Sequence, residues 1–145
     1  MSGQPEVTRL RQQHGKAAAG CLTRAFLPDP LWLALLPDAG VREKQLTGKF
    51  RATVRTAVHG GLPLATPGLT GVAVWQPPRR PALRSMLRTG FPTERWLLSL
   101  PAPERRRVAA VFRRLSERRE ALMPSPFWYL EAIGVEPTHQ GRGLG

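Results

Sequence analysis

The feature that most constrains the fold is an apolar segment with a glycine-rich turn directly behind it. Residues 127–135 are almost continuously apolar, and Pro124-Ser125-Pro126 precedes them. An apolar run of this length between breakers is typical of a β-strand that is covered on both faces. The turn at residues 139–145 follows, with glycine at every second position from Gly141 onward. Such a turn lets backbone amides converge on an anion such as a pyrophosphate without charged side chains.

Apolar periodicity predicts an α+β fold, an α/β sandwich in which helices pack on a sheet. Five segments have the spacing of helices: residues 10–26, 31–36, 41–58, 79–90 and 102–122. Two of them carry an apolar stripe: Leu46, Phe50, Val54 and Val58 at steps of four, and Val108, Val111, Phe112, Leu115 and Leu122. Residues 62–65 and 69–75 are predicted to be strands joined by a turn at Thr66-Pro67-Gly68. Together with the strand at residues 127–135, they would form a mixed sheet.

The strong positive charge has two interpretations. Lysine and arginine number 22 against 10 acidic residues, a formal net charge of +12. In the helix predicted for residues 102–122, six arginines share one face: Arg105, Arg106, Arg113, Arg114, Arg118 and Arg119. Glutamates of the same helix can pair with them. A solvated face is favoured over an anion-binding surface. Because the aromatic residues lie in apolar segments and not beside these arginines, a nucleic-acid partner is not favoured.

Cysteine usage and the N-terminal segment indicate the compartment. Cys21 is the only cysteine, so the sequence contains neither a disulfide framework nor a Cys-x-x-Cys metal motif. Residues 1–16 are polar and lack an apolar signal core, and the longest apolar stretch, residues 31–36, is too short to span a bilayer. We therefore expect a cytoplasmic protein with no metal and no membrane association.

The terminal turn has the spacing Gln140-x-x-Gly143-x-Gly145. It differs from the dinucleotide fingerprint, and it is not a P-loop because no Gly-Lys-Ser/Thr follows. These residues resemble the signature of the GNAT superfamily of acyl-CoA-dependent N-acyltransferases, Gln/Arg-x-x-Gly-x-Gly/Ala after the central strand. Residues 128–145 are especially similar to the actinobacterial branch that includes puromycin N-acetyltransferase. Residues 72–75 and Asp29-Pro30 also resemble that branch.

The resemblance implies an acetyl-CoA-dependent N-acetyltransferase that transfers an acetyl group directly to an amine of a small molecule. Acetyl-CoA would be the cosubstrate, with no metal. The central strand of such an enzyme would bind the pantetheine arm, here through Ile133, Gly134 and Val135. The turn would hold the pyrophosphate through Gln140, Gly141, Arg142, Gly143, Leu144 and Gly145. Amide donors together with the charge of Arg142 suit two phosphate groups.

Glu131 interrupts the apolar strand and is the candidate catalytic residue. A base is needed because only a neutral amine can attack a thioester. We expect desolvation to raise the pKa of Glu131 towards the neutral range that suits a general base. The alternative is that Glu131 faces solvent or orients the substrate. Tyr129 does not match the region from which GNAT enzymes often supply a tyrosine to protonate the leaving thiolate.

The resemblance also implies that the fold is incomplete. GNAT enzymes continue from this turn into a helix and a further strand that splays from the central one to open the cofactor cleft. We therefore expect residues 1–145 to form a single partial domain that ends at the central strand and pyrophosphate loop, lacks its C-terminal half and is inactive alone. The alternative function is a non-catalytic basic adaptor, or a remnant, that binds RNA or another anionic partner. The acceptor amine and the oligomeric state stay open.

Overall fold

A sheet with helices on one face organises the computed structural model, which describes residues 6–78 and 83–145. The sheet has the order β1-β2-β3-β4, and all neighbouring strands are antiparallel. The elements are β1 (Thr8–Arg9), α1 (Gly15–Phe26), α2 (Pro30–Leu35), α3 (Ala39–Gly60), β2 (Leu62–Ala65), β3 (Gly71–Gln76), α4 (Leu83–Thr89), α5 (Pro92–Ser99), α6 (Ala102–Leu122) and β4 (Tyr129–Val135). The α+β class is confirmed, whereas the described strands form an antiparallel sheet and not the mixed sheet that was expected.

The observed helices differ from the sequence predictions in several of their bounds, and one helix was not predicted. The first helix begins at Gly15 and not at residue 10, because Leu10 still donates a hydrogen bond at 2.9 Å to the O atom of Pro63 in β2. Of the helix predicted for residues 79–90, residues 79–82 lie outside the described residues, and α4 covers most of the remainder. Helix α5 was not predicted; Pro92 is its first residue, a position that suits proline.

Two aspartates start the helices that follow α1. The side chain of Asp29 accepts hydrogen bonds from the backbone of Leu31 at 2.9 Å and of Trp32 at 3.3 Å. Asp38 accepts one from Val41 at 2.8 Å. Because the first amides of a helix have no partner within it, these caps explain why α2 and α3 begin where they do.

The core lies between α1, α3 and one face of the sheet. On α3, the predicted stripe at steps of four is confirmed: Leu46, Phe50 and Val54 are buried, and Val58 packs against them. The sheet contributes Val72 and Val74, which are 2% and 0% exposed. Apolar burial on this face is the main stabilising term of the fold.

Helix α1 lies directly on β4 at Gly134. A Cβ atom added to Gly134 would be 2.9 Å from Ala25 Cβ and 3.0 Å from Leu22 Cδ2. Only the absence of a side chain at this position lets the helix approach the strand so closely.

Strand β4 is covered on one face only, within the described residues. Ala132 is 6% exposed, whereas its neighbour Ile133 is 45% exposed and faces the other side of the sheet. On that side, Leu64, Ala73 and Ile133 line up across three strands without becoming buried. The expectation that this strand is covered on both faces is therefore wrong for this part of the chain.

Helix α6 packs through its N-terminal half. Val108 is 1% exposed, but Leu115 and Leu122, which belong to the predicted apolar stripe, are 50% and 73% exposed. The arginine face is mostly solvated, and Arg107 pairs with Glu104 at 3.0 Å. No helix in the described ranges is long and apolar enough to cross a bilayer.

Candidate functional site

Glu131 lies at a β-bulge in the middle of β4. Val74 pairs with Ala132 and the next residue, Trp75, pairs with Leu130, so Glu131 is the extra residue of the strand. Regular alternation would place Glu131 and Gly134, three residues apart, on opposite faces of the sheet. The bulge breaks that alternation. Both residues therefore face the helices, Glu131 towards α3 and Gly134 towards α1.

The carboxylate of Glu131 is held by three side chains. Lys49 Nζ lies 3.1 Å from Oε1, and Thr53 Oγ1 donates to the same oxygen at 3.1 Å. Gln76 Nε2 donates to Oε2 at 2.7 Å. Lys49 also donates to Thr53 Oγ1 at 2.8 Å, so the groups from α3 form a connected network.

This network controls the charge of Glu131. Burial raises the pKa of Glu131, but the nearby charge of Lys49 and the hydrogen bonds from Gln76, Lys49 and Thr53 outweigh burial, and the pKa lies below its ordinary value of 4.5. The expectation that desolvation raises this pKa towards neutrality is therefore wrong. At neutral pH Glu131 is an ionised hydrogen-bond acceptor and a weak base.

Lys49, Thr53 and Gln76 were not predicted as site residues from the sequence, and Lys49 is the charged one among them. It is 7% exposed, and its Nζ lies 5.7, 5.9 and 5.8 Å from the ring centroids of Phe50, Trp96 and Phe112. Cation–π attraction and the carboxylate together compensate for its burial. The available signal was its position beside Phe50 and three residues after Leu46, inside the apolar stripe of α3.

Backbone groups of Ile133 and Val135 point to a free edge of the sheet. Glu136 N donates to Thr70 O at 2.7 Å, which continues the ladder between β3 and β4. Because alternate residues of an antiparallel strand direct their backbone groups to opposite edges, those of Ile133 and Val135 point away from β3. No further strand pairs with that edge in the described ranges.

Gly134 does not share this placement. Its backbone faces β3, and its missing side chain faces α1. The structure therefore gives Gly134 a packing role, which argues against the ligand contact expected for it.

The terminal turn presents a row of unpaired amides. Gly141 and Gly143 have φ angles of 75° and 73°, and no atom lies within 4 Å of where a Cβ would be. In the described part of the chain, no backbone N–H from Gln140 to Gly145 donates a hydrogen bond of standard length and angle to another residue. Donors left open in a turn with left-handed glycines are suited to an anion.

Two side chains hold the turn against the residues that precede it. Gln140 Nε2 donates to Val135 O at 3.0 Å, and Arg142 Nη2 donates to Thr138 O at 3.3 Å. Gln140 therefore builds the turn through its side chain. The carbonyl of Val135 is already engaged, which leaves its N–H as the open group at that position.

The thiol of Cys21 is unsuited to covalent catalysis. It is buried, and burial together with the nearby Glu136 raises its pKa to about 11. Glu136 itself is held by Arg24 through contacts of 2.5 and 3.0 Å. Among the described residues, no group of histidine, cysteine, aspartate or glutamate is arranged to hold a metal ion.

A cavity of about 620 Å³ opens beside Glu131, between the C-terminal end of α3, the ends of β3 and β4, α5 and α6. Its wall includes Trp75, Phe91 and Tyr129. Its volume falls within the range of roughly 300–1,000 Å³ typical of small-molecule sites. The cavity and the amide turn lie towards opposite ends of β4, with the bulge at Glu131 on the side of the cavity.

Comparison with known structures identifies the architecture. A solved protein from Corynebacterium glutamicum, described as histone acetyltransferase HPA2 and related acetyltransferase, superposes with a TM-score of 0.60 and 21% sequence identity. The fold is that of an acetyltransferase. The match covers 99% of this chain and 66% of that protein, so the chain spans about two thirds of its length. No protein-family model matches the sequence, and no curated protein matches it.

Proposed function

We propose that this chain forms the acetyl-CoA site and part of the acceptor site of an N-acetyltransferase that acetylates an amine of a small molecule. Within the GNAT superfamily, the resemblance favours the actinobacterial branch that includes puromycin N-acetyltransferase. The observation that carries the proposal is the row of unpaired amides from Gln140 to Gly145, directly behind the outward-facing backbone of Ile133 and Val135. An acetyltransferase fold supports it at a coarser level.

Each part of this arrangement matches one part of acetyl-CoA. The open amides of the turn would donate hydrogen bonds to the pyrophosphate oxygens. The free edge at Ile133 and Val135 would pair with the amides of the pantetheine arm as an added strand does. When bound, acetyl-CoA supplies the acetyl thioester that an amine attacks. The resemblance implies direct transfer to the amine, and the buried Cys21 with its raised pKa is unsuited to form an acyl-enzyme.

Glu131 orients the acceptor in this proposal. Its carboxylate is ionised and forms part of the cavity wall, and Lys49, Thr53 and Gln76 fix its position. A base with a pKa far below neutrality removes a proton from an ammonium group inefficiently. The alternative of a substrate-orienting residue is therefore favoured over a general base.

Turnover by these 145 residues alone is not expected. The solved acetyltransferase has a further third of its length that the match does not include. We propose that the chain binds acetyl-CoA and that catalysis requires more of the fold.

Calorimetric titration of the chain with acetyl-CoA tests the role of the turn. Gly143→Glu adds a negative charge to the amide row, and we expect it to weaken acetyl-CoA binding by at least about tenfold through repulsion and lost donors. Gly90→Glu is the matched control, because Gly90 has a φ of 71° and the same open surroundings but lies on α4's C-terminal turn. Equal affinities of the two variants would refute the assignment. Tight binding of single-stranded RNA without any binding of acetyl-CoA would favour the basic adaptor instead.

A further inference from the structure

The cavity beside Glu131 has a wall rich in aromatic residues. Three aromatic residues besides Trp75 line it: Phe91, Phe127 and Tyr129. Aromatic residues in the wall of a cavity favour a ligand with a flat apolar body, since stacked or edge-on ring contacts add to the gain from burial. The ring of Tyr129 is itself covered by Arg119, whose guanidinium carbon lies 4.2 Å from the ring centroid.

Phe91 occupies its place in this wall in an unfavourable backbone conformation. Its φ and ψ are 51° and 56°, in the left-handed region that side chains rarely adopt. The residue precedes α5 and provides no side-chain cap for it. Nor does Phe91 belong to the hydrophobic core or to the residues packed against it. Strained residues concentrate at ligand sites, and here the strained residue lies in the wall of a cavity.

The charges in the cavity wall favour a cation. In a chain with a net charge of +12, the wall includes the carboxylate of Glu94 and that of Glu131, which Lys49 already pairs. Glu94 forms no hydrogen bond or ion pair through its side chain in the described ranges. Arg119, a cation among the described residues of the same wall, is stacked on Tyr129. A carboxylate without a partner beside aromatic rings is the chemistry that recognises an ammonium group on an apolar body.

We propose that this cavity binds an amine in its ammonium form, with an aromatic ring attached by a short chain. The carboxylate of Glu94 pairs with the ammonium group, and Phe91 and Tyr129 contact the aromatic ring of the ligand. That this amine is the acetyl acceptor rests on the proposed function. Glu131, which lies at the bulge of β4, is part of the wall of the same cavity.

Direct binding to the 145-residue chain tests the proposal without requiring turnover. Calorimetry would compare 2-phenylethylamine with three matched probes: 2-phenylethanol lacks the charge, n-butylamine lacks the ring, and 3-phenylpropionate reverses the charge. We expect 2-phenylethylamine to bind most tightly and 3-phenylpropionate most weakly. Equal binding of the amine and the carboxylate, or no binding of the amine, overturns the proposal.

Two variants locate the binding site. Glu94→Gln should weaken 2-phenylethylamine binding by about two- to fivefold, the range expected for an exposed charge pair, and should leave 2-phenylethanol binding unchanged. Glu117→Gln is the matched control, since Glu117 is an exposed glutamate outside the cavity wall. If both variants behave alike, the charge does not act in the cavity.

Phe91→Asn separates a binding role from a packing role. Asparagine tolerates the left-handed conformation better than phenylalanine, so the urea midpoint should stay equal or rise. Amine binding should nevertheless fall. A lowered midpoint together with unchanged amine binding would give the ring a packing role and contradict the inference.

The two proposals fail in different ways. If acetyl-CoA binds and 2-phenylethylamine does not, the cavity assignment is overturned while the proposed function stands. If the amine binds through Glu94 and Phe91 but acetyl-CoA does not, the cavity assignment stands and the acetyl-transfer function fails.

Discussion

The ion pair between Lys49 and Glu131 should couple the two residues strongly in folding stability. Lys49→Met keeps an unbranched apolar stem in the space bounded by Phe50, Trp96 and Phe112 and removes the charge. Glu131 would lose the cation 3.1 Å from its Oε1 but would keep Thr53 and Gln76 as donors.

The expected magnitude follows from this geometry. At an effective dielectric constant of about 20, two unit charges at this distance attract by roughly 5 kcal/mol, and desolvation offsets much of that. Removing one member of a buried pair typically costs about 3–5 kcal/mol. Because the Glu131 side chain is 22% exposed and keeps two donors, we expect about 2–3 kcal/mol for Lys49→Met. Glu131→Gln should cost about 3–5 kcal/mol, since the Lys49 side chain is only 9% exposed and has no other carboxylate in the described ranges.

A double-mutant cycle measures the coupling. Urea unfolding at neutral pH, followed by tryptophan fluorescence, would compare the wild type, both single variants and the double variant Lys49→Met/Glu131→Gln. The double variant should lose at least about 2 kcal/mol less than the sum of the single losses. The exposed pair Arg113–Glu117, with an N–O distance of 3.8 Å, is the control and should show no measurable coupling. Additive losses, or a Lys49→Met variant as stable as the wild type, would refute the assigned ion pair and with it the lowered pKa of Glu131.

Three further outcomes are expected. Folding lowers the pKa of Glu131 from 4.5, so the contribution of this carboxylate to stability is present above that pH and is lost as the pH falls through the folded-state value. The destabilisation by Lys49→Met should therefore become smaller in urea titrations at acid pH. A destabilisation that does not change with pH would contradict this. Gly134→Ala places a methyl group 2.9 Å from Ala25 Cβ and should lower the unfolding free energy by about 1–3 kcal/mol, whereas an unchanged urea midpoint would mean that α1 does not lie so close to β4. Asp29→Ala removes the acceptor of two amides at the start of α2 and should cost about 1 kcal/mol in thermal unfolding; no loss would show that the cap is absent in solution.

Local patterns predicted the parts of the fold that depend on neighbouring residues. The stripe of α3 appears in the sequence because Leu46, Phe50 and Val54 recur with the period of a helix, and the structure buries all three. The turn from Gln140 to Gly145 could also be predicted from the sequence, since its open amides depend on the local backbone conformations of its glycines.

The charge state of Glu131 could not be predicted in the same way. Lys49 is 82 residues away in sequence, and the bulge that directs Glu131 towards it depends on the register between β3 and β4. Burial alone predicts a raised pKa, and only the identity of the neighbours reverses the direction. The open face of β4 was missed for a similar reason: an apolar run indicates that a strand can be buried, not which neighbours cover it.

The lowered pKa of Glu131 links the network under β4 to the choice of acceptor. An ionised carboxylate in the cavity wall stabilises an ammonium group and so disfavours the loss of the proton that must precede attack on a thioester. Lys49 limits this conflict, because it neutralises Glu131 from the side of α3 while Gln76 holds the other oxygen. Glu94 has no such partner in the described part of the chain, so it is the stronger binding group for a cation. The two glutamates therefore have different roles. Glu94 attracts the ammonium form, and Glu131, whose negative charge is balanced by Lys49, orients the amine without stabilising its proton as strongly.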